Sequence, residues 1–171
     1  DQIISILADT GLKRTTERAD FFGFGAAFVA AGDQVVDDVG APLLLGATSR
    51  TQQGAPRNMV YGVAPGQGLV AEYQKVYLAP FGEFMPLRPL MRHLSPWVDR
   101  IPDWDAGDEP GVVPVPLPDG RQLDVGVAIC FENVMDQAAR DLALGGSQLI
   151  VVPTSNAWFG DGHQSVEHLG I

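Results

Sequence analysis

The chain has 171 residues, 46% of them hydrophobic, and its 21 acidic and 11 basic side chains give a net charge of −10. This length and composition suit one globular domain with a sizeable core and exclude an intrinsically disordered chain. The negative charge, with only two lysines, also argues against nucleic-acid binding, which needs clustered basic side chains.

No segment has the pattern of a membrane span or a signal peptide. The most apolar stretch, residues 21–32, is too short, because a spanning helix needs about 20 apolar residues. The chain starts at Asp1 rather than at a methionine, and Ile171 ends it where a helix is expected to begin. We therefore expect a fragment of a longer protein.

The first predicted elements are a helix, a strand and a hairpin. The helix ends at Val39, with Gly40 as its C-cap and one face formed by Val35, Val36 and Val39. Residues 41–47 are a continuous apolar run, typical of a buried strand. Residues 58–64 and 69–76 are predicted to pair as a hairpin, because the Pro and Gly residues between them supply turn dihedrals.

Residues 77–110 hold many prolines and few regular patterns, which predicts a long, ordered, functional loop. Its acidic second half has no recurring ligand spacing, so we interpret it as a solvated face and predict no metal site: Asp99, Asp103, Asp105, Asp108 and Glu109. Apolar side chains in the first half are expected at the mouth of a site: Phe81, Phe84, Met85, Leu87, Leu90 and Met91.

Strands and helices alternate in the last third of the chain. Residues 112–115 and 123–129 are predicted to pair around an Asp-Gly turn, residues 133–144 to form a helix, and residues 149–153 to form a buried strand. Near-continuous apolar strands alternating with helices indicate an α/β domain with both sheet faces covered.

Cys130 is the single cysteine, and it ends the apolar run of residues 125–129. A thiol at the end of a strand is where an α/β enzyme presents a nucleophile, but a lone cysteine also serves as a small buried hydrophobe. A nucleophilic thiol needs a lowered pKa or a neighbouring base, because the thiolate is the attacking species.

Three charged residues could assist such a thiol. The ammonium of Lys75 would favour a thiolate and an oxyanion, while Glu83 and Glu132 could hold that lysine or carry protons. Each also has an ordinary structural interpretation: Lys75 as an exposed lysine at a strand end, Glu83 as a turn carboxylate, and Glu132 as a charge at a helix N-terminus.

Taken together, these segments resemble the carbon–nitrogen hydrolase (nitrilase) superfamily, and more narrowly the nitrilase-like domain of the apolipoprotein N-acyltransferase family. Tyr73-Gln74-Lys75 matches the superfamily's Tyr-x-Lys strand. Residues 78–87 are similar to the acyltransferases' Leu-Val-Pro-Phe-Gly-Glu-Tyr-Val-Pro-Leu segment, and Ile129-Cys130-Phe131-Glu132 to their Ile-Cys-Tyr-Glu motif. Residues 157–161 are similar to their Ala-Trp-Phe-Gly loop, and the resemblance spans about residues 39–171.

The resemblance implies an α-β-β-α four-layer sandwich, incomplete in this chain. It implies that Cys130 carries a fatty acyl group as a thioester, that Lys75 stabilises the oxyanion and that Glu83 supports the site. It further implies that Phe131, Glu132 and Trp158 contact the substrates. The acyl donor would be a phospholipid and the acceptor the N-terminal amine of an apolipoprotein, with no cofactor or metal. The enzyme would lie on the extracytoplasmic (periplasmic) side of a bacterial cell membrane, anchored by segments absent from this chain.

The sequence departs from that family at three places. The superfamily's general-base glutamate lies in a Pro-Glu motif, and this chain has none; Glu17, the one glutamate before Gly40, lacks the preceding apolar strand. Residues 1–25 fit no part of the pattern, so we leave them as an unassigned leader. Either the strand that carries the base lies upstream and is absent, or the leader is foreign or mistranslated sequence. Ser155-Asn156-Ala157-Trp158 is one residue shorter than the family's Ser-Asn-Asp-Ala-Trp.

The missing Pro-Glu motif predicts that the 171-residue chain transfers little or no acyl group from phospholipid. Lys75 could still ionise the thiol in part, but proton transfer to and from the acceptor would suffer. Mass spectrometry after incubation with phospholipid is expected to show unmodified Cys130, and an acyl-thioester there would contradict this prediction.

Two other functions remain open at this point. One is a soluble amidase or nitrilase that hydrolyses a small carbon–nitrogen substrate, and an activity comparison between short amides and lipid donors separates it from the acyltransferase. The other is a non-catalytic module of the same fold that has lost its base. A slowly alkylated Cys130 would favour that module.

Overall fold

The computed structural model describes residues 24–154, which form two three-stranded sheets with helices around them. The elements are, in chain order, α1 (Phe24–Val39), β1 (Leu43–Arg50), β2 (Pro56–Ala64), β3 (Gly68–Gln74), α2 (Arg88–Met91), a 3₁₀ helix (Pro96–Arg100), β4 (Val112–Pro116), β5 (Gln122–Val127), a second 3₁₀ helix (Cys130–Val134), α3 (Asp136–Leu144) and β6 (Leu149–Val151).

The first sheet is antiparallel, in the order β1-β2-β3. Ala64 pairs with Gly68 across a tight turn in which Gly66 and Gly68 have φ of 66° and 69°, a region that favours glycine. The predicted hairpin is therefore confirmed. Gly40 likewise ends α1 with φ of 69°, as predicted, whereas Val39 was wrongly placed on the apolar face because its side chain is exposed.

The second sheet has the order β4-β5-β6, with an antiparallel hairpin and a parallel third strand. The hairpin was predicted, and the connection from β5 through α3 to β6 is the expected strand–helix–strand unit. Two details were wrong. The helix starts three residues late, after a 3₁₀ turn, and β6 is not buried, since Leu149 and Ile150 are each 49% exposed.

The two sheets pack face to face between the helices. Valines and aromatic residues from both sheets form the inner core: Val60, Tyr73, Val113, Val115, Val125, Val127 and Ile129. On the outer face of the first sheet, Val36 of α1 packs against Leu45 and Val63. The chain just after α3 lies on the outer face of the second sheet, because a Cβ at Gly126 of β5 would point outward and lie 2.9 Å from the Cβ of Ser147. The four-layer α-β-β-α sandwich is therefore confirmed.

A long loop joins the two sheets and is ordered, as predicted. Arg88 holds it together by donating to the carbonyls of Val98 (2.8 Å) and Ile101 (2.7 Å) and to the carboxylate of Asp103. That hydrogen bond from Arg88 lowers the pKa of Asp103 below its usual value. Asp99 pairs with Arg92 in the same loop.

The apolar side chains of this loop divide between core and surface. Met85 is buried, so its expected place at the mouth of a site was wrong, while Phe84 and Met91 are half-buried. The loop still exposes a group of large apolar side chains, which we call the apolar rim: Phe81, Leu87, Leu90, Leu94 and Trp97. Within residues 24–154, no helix has the length and apolar character that a membrane crossing requires.

Candidate active site

Lys75 is the residue that follows β3, and its side chain is only 1% exposed. Its ammonium donates to both carboxylate oxygens of Glu83, at 2.9 and 2.8 Å. The interpretation of Lys75 as an exposed strand-end lysine is therefore wrong. A buried ammonium is costly unless a countercharge lies against it, so Lys75 and Glu83 form one structural unit.

Glu83 is held by three further contacts, and its side chain is 15% exposed. The backbone N–H of Ala79 donates to Oε2 at 2.7 Å, and the side-chain amide of Asn58 donates to Oε1 at 2.6 Å. Its own carbonyl accepts from the N–H of Trp104 at 2.8 Å. The carboxylate is thus fixed in the orientation that pairs it with Lys75.

Asn58 is a site residue that sequence reasoning missed. It lies in β2, where its carbonyl accepts from the N–H of Lys75 at 2.9 Å while its amide binds Glu83. It therefore contacts both members of the ion pair. The available signal was one amide side chain just before the apolar stretch of residues 59–61 in a strand that becomes buried.

Cys130 lies at a sharp bend three residues after β5 ends. It is a free, half-buried cysteine with φ of 53°, in the left-handed region that non-glycine residues avoid at a cost of about 1–2 kcal/mol. Its N–H donates to the carbonyl of Pro153 at 3.0 Å. Strained backbone of this kind persists where surrounding contacts hold it, and it is concentrated at functional sites.

Glu132, two residues after the cysteine, is 1% exposed, and four donors from the described part of the chain reach its carboxylate. Its Oε2 accepts from the N–H of Ile129 at 2.6 Å, which caps the 3₁₀ turn. Its Oε1 accepts from the hydroxyl of Tyr73 at 2.8 Å and from the N–H groups of Val76 and Tyr77, each at 2.9 Å. Both oxygens therefore accept hydrogen bonds from within the protein, and the expected contact of Glu132 with substrate stays a prediction.

Through Glu132, the structure joins the chain segment after Lys75 to the turn that carries Cys130. The hydroxyl of Tyr77 contacts a different element, because it donates to Asp141 of α3 at 2.7 Å, a bond that raises the pKa of Tyr77. A direct approach of the Lys75 ammonium to the Cys130 thiol remains a prediction, as do all the catalytic roles. Phe131 is half-buried beside the cysteine, and Trp158 lies outside the described residues.

The buried charged side chains of the site have partners within the protein. Within residues 24–154, no group of three or more His, Cys, Asp and Glu side chains has the arrangement of a metal site. The buried charges are instead met by Lys75 against Glu83 and by four hydrogen-bond donors against Glu132.

The fold and the strand-end cysteine define a nitrilase-type α/β sandwich. The carbon-nitrogen hydrolase family model matches residues 13–169, so the chain belongs to the carbon–nitrogen hydrolase family. A crystal structure of a carbon-nitrogen hydrolase from Helicobacter pylori superposes with a TM-score of 0.61 at 12% identity, covering 98% of this chain and 60% of that one. A nitrilase-superfamily amidase from Nesterenkonia superposes at 0.52 with 19% identity, covering 80% and 44%.

Within that family, the chain is similar to curated apolipoprotein N-acyltransferases. The apolipoprotein N-acyltransferase of Mycolicibacterium smegmatis is 32% identical over 126 residues, covering 71% of this chain and 20% of the relative. That of Pseudomonas aeruginosa UCBPP-PA14 is 29% identical over 146 residues, covering 84% and 28%. The chain therefore spans 20% and 28% of the lengths of these two relatives.

Proposed function

We propose that this chain is part of an acyltransferase that moves a fatty acyl group from a phospholipid to the N-terminal amine of an apolipoprotein. The thiolate of Cys130 attacks the ester carbonyl, the carbon–oxygen bond breaks, and the lysophospholipid alcohol leaves with a proton. The amine then attacks the thioester, forming the carbon–nitrogen bond, breaking the carbon–sulfur bond and giving up a proton.

The observation that carries this proposal is that one buried carboxylate accepts hydrogen bonds both from the chain after a buried, ion-paired lysine and from the strained turn that carries the cysteine. Lys75 is fixed by Glu83, and the segment after Lys75 is bonded through Glu132 to the turn of Cys130. In our proposal the ammonium stabilises the thiolate and then the oxyanion of each tetrahedral intermediate, while Glu83 keeps it in place. Phe131 and Trp158 are proposed to contact the acyl chain or the amine.

A lipid donor is favoured over a small amide by two observations. The curated relatives described above are apolipoprotein N-acyltransferases. In addition, the apolar rim belongs to the same loop as Glu83, so large apolar side chains lie exposed along the chain that supports the site. Apolar side chains of that kind suit a lipid surface better than a water-soluble amide. We accordingly propose that the chain is located at a bacterial cell membrane, on its extracytoplasmic side.

Single acylation by activated esters tests the proposal in the 171-residue chain. A nitrophenyl ester is a suitable donor, because the nitrophenolate leaves without a proton and so needs no general acid. We expect nitrophenyl dodecanoate in detergent micelles to add one acyl group to Cys130, visible by intact mass and removed by hydroxylamine. Relative to free cysteine as a reference thiol, dodecanoyl transfer should exceed acetyl transfer from nitrophenyl acetate by about 10-fold or more.

The Cys130→Ser variant is the matched control and should form no hydroxylamine-labile adduct. Faster transfer of acetyl than of dodecanoyl would overturn the lipid donor in favour of a small-substrate amidase. Suppose that neither group is transferred and that the thiol is no more reactive than free cysteine. This result would overturn the proposal that the chain is part of an enzyme and favour a non-catalytic module.

A further inference from the structure

We propose that Tyr73 is a positioning residue for Cys130 and acts through Glu132. Its hydroxyl reaches the buried carboxylate that joins the Cys130 turn to the chain after Lys75. The inference rests on the proposed function, namely that Cys130 is the nucleophile and that the ammonium of Lys75 favours its thiolate.

Among residues 24–154, Tyr73 is the one side chain in a cluster of donors to Glu132 that otherwise consists of backbone N–H groups. Of the four donors to Glu132 described above, three are backbone N–H groups and the fourth is the Tyr73 hydroxyl, at 2.8 Å. Because backbone donors are fixed by the fold, the hydroxyl is the contact that substitution can remove without changing the main chain. Its loss takes away one of the three donors to Oε1 and leaves the N–H groups of Val76 and Tyr77, so the carboxylate is held less firmly.

The ring of Tyr73 is itself held rigidly, so its hydroxyl has a fixed position. It lies in the inner core between the sheets, where Val127 and Ile129 also pack. The backbone passes so close at Gly111 that a Cβ there would lie 2.9 Å from Cε2 of the ring. Burial, and then the charge of Glu132, raise the pKa of Tyr73 far above its usual value, so the hydroxyl keeps its proton and remains a donor.

The Cys130 turn is the element that needs this support. Cys130 holds φ of 53°, and the turn is secured by the Glu132 bond to the N–H of Ile129 and by the bond from the Cys130 N–H to Pro153. If Glu132 shifts, the first of these bonds weakens and the strained conformation relaxes. The thiol then spends less time oriented towards the cation that favours its thiolate.

The test compares Tyr73→Phe with Tyr77→Phe in the 171-residue chain. The first removes the hydroxyl on Glu132 and keeps the packed ring, while the second removes a hydroxyl that binds Asp141 instead. The readout is the rate of iodoacetamide alkylation against pH, which reports Cys130 alone because the chain has one cysteine. Thermal unfolding of each variant is measured in parallel.

We expect Tyr73→Phe to slow alkylation at neutral pH by about 3- to 10-fold and to raise the midpoint of the pH profile. Tyr77→Phe should leave both unchanged. In a Glu132→Gln background, adding Tyr73→Phe should produce little further effect, because a residue that acts through another is non-additive with it.

Three results would overturn the inference, and they differ in what else they affect. If Tyr73→Phe lowers the melting temperature but leaves the alkylation profile unchanged, Tyr73 is only structural and the proposed function stands. If its effect is the same size with and without Glu132→Gln, it does not act through Glu132. If alkylation of the unsubstituted chain already has the pH midpoint of about 8.5 that is expected of an ordinary cysteine, the nucleophilic role of Cys130 and the positioning role of Tyr73 are both overturned.

Discussion

Replacing Glu83 by glutamine should lower the free energy of unfolding by about 3–5 kcal/mol. The substitution keeps the shape of the side chain and removes the charge that pairs with Lys75. Because Lys75 is 1% exposed and donates to both Glu83 oxygens, its ammonium would remain buried with no countercharge in that position. Breaking a buried pair by removing one partner is among the most destabilising single changes in a protein.

Chemical denaturation of the single and double variants measures this effect. The double variant Lys75→Met/Glu83→Gln should recover most of the loss, because methionine replaces the buried charge by an apolar chain of similar length. Asp99→Asn is the matched control in the same loop. Its partner Arg92 and Asp99 itself are both more than half exposed, so less than about 1 kcal/mol should be lost.

A loss below about 1 kcal/mol for Glu83→Gln would show that the pair does not function as a buried unit. Equal losses for the single and double variants would show instead that the carboxylate matters through Ala79 and Asn58 rather than through Lys75. Either result would contradict the proposal that Glu83 holds the Lys75 ammonium in place at the site.

The parts of the fold that the sequence predicts well are those set by local chemistry. The β2–β3 turn and the end of α1 follow from glycines that adopt positive φ at Gly40, Gly66 and Gly68. The strands follow from apolar runs. The errors occur where burial depends on distant chain: Val39 and Leu149 have apolar side chains that the packing leaves exposed.

The candidate site was predicted in part, for a related reason. The sequence pointed to Lys75, Glu83 and Cys130 and to a carboxylate, Glu83 or Glu132, that holds the lysine, but the structure was needed to show that Glu83 does so. Glu132 lies 59 positions from Tyr73, and Asn58 lies 25 positions from Glu83. No periodicity or spacing encodes such pairs, so the burial of Glu132 and the role of Asn58 required the structure.

The apolar rim provides the strongest test of a lipid surface as the partner of this chain. Leu87, Leu90 and Leu94 are each more than half exposed. They lie on a loop that is stabilised by the hydrogen bonds from Arg88 to two of its backbone carbonyls. Leaving three large apolar side chains in water on one short segment forgoes about 1.5–3 kcal/mol for each that could be buried. Insertion into the interfacial region of a bilayer would recover part of that free energy.

The triple variant Leu87→Ser/Leu90→Ser/Leu94→Ser should reduce partitioning into phosphatidylcholine vesicles by about 100-fold. This corresponds to a contribution of about 1 kcal/mol from each leucine whose side chain is half-buried in the bilayer. Zwitterionic vesicles are the appropriate probe, because a chain of net charge −10 would be repelled by anionic lipid and the apolar contribution would be obscured. Co-sedimentation with the vesicles measures the partition coefficient.

Apolar side chains on other surfaces provide the matched control, Val39→Ser/Leu69→Ser/Leu144→Ser, since these three are also exposed but lie on α1, β3 and α3. If the membrane contacts the rim specifically, the control retains the parent partition coefficient. Equal losses in the two variants would mean that vesicle binding follows total exposed apolar area. Because the lipid donor is distinguished from a small amide partly by this loop, that outcome would shift the proposed substrate towards a water-soluble carbon–nitrogen compound.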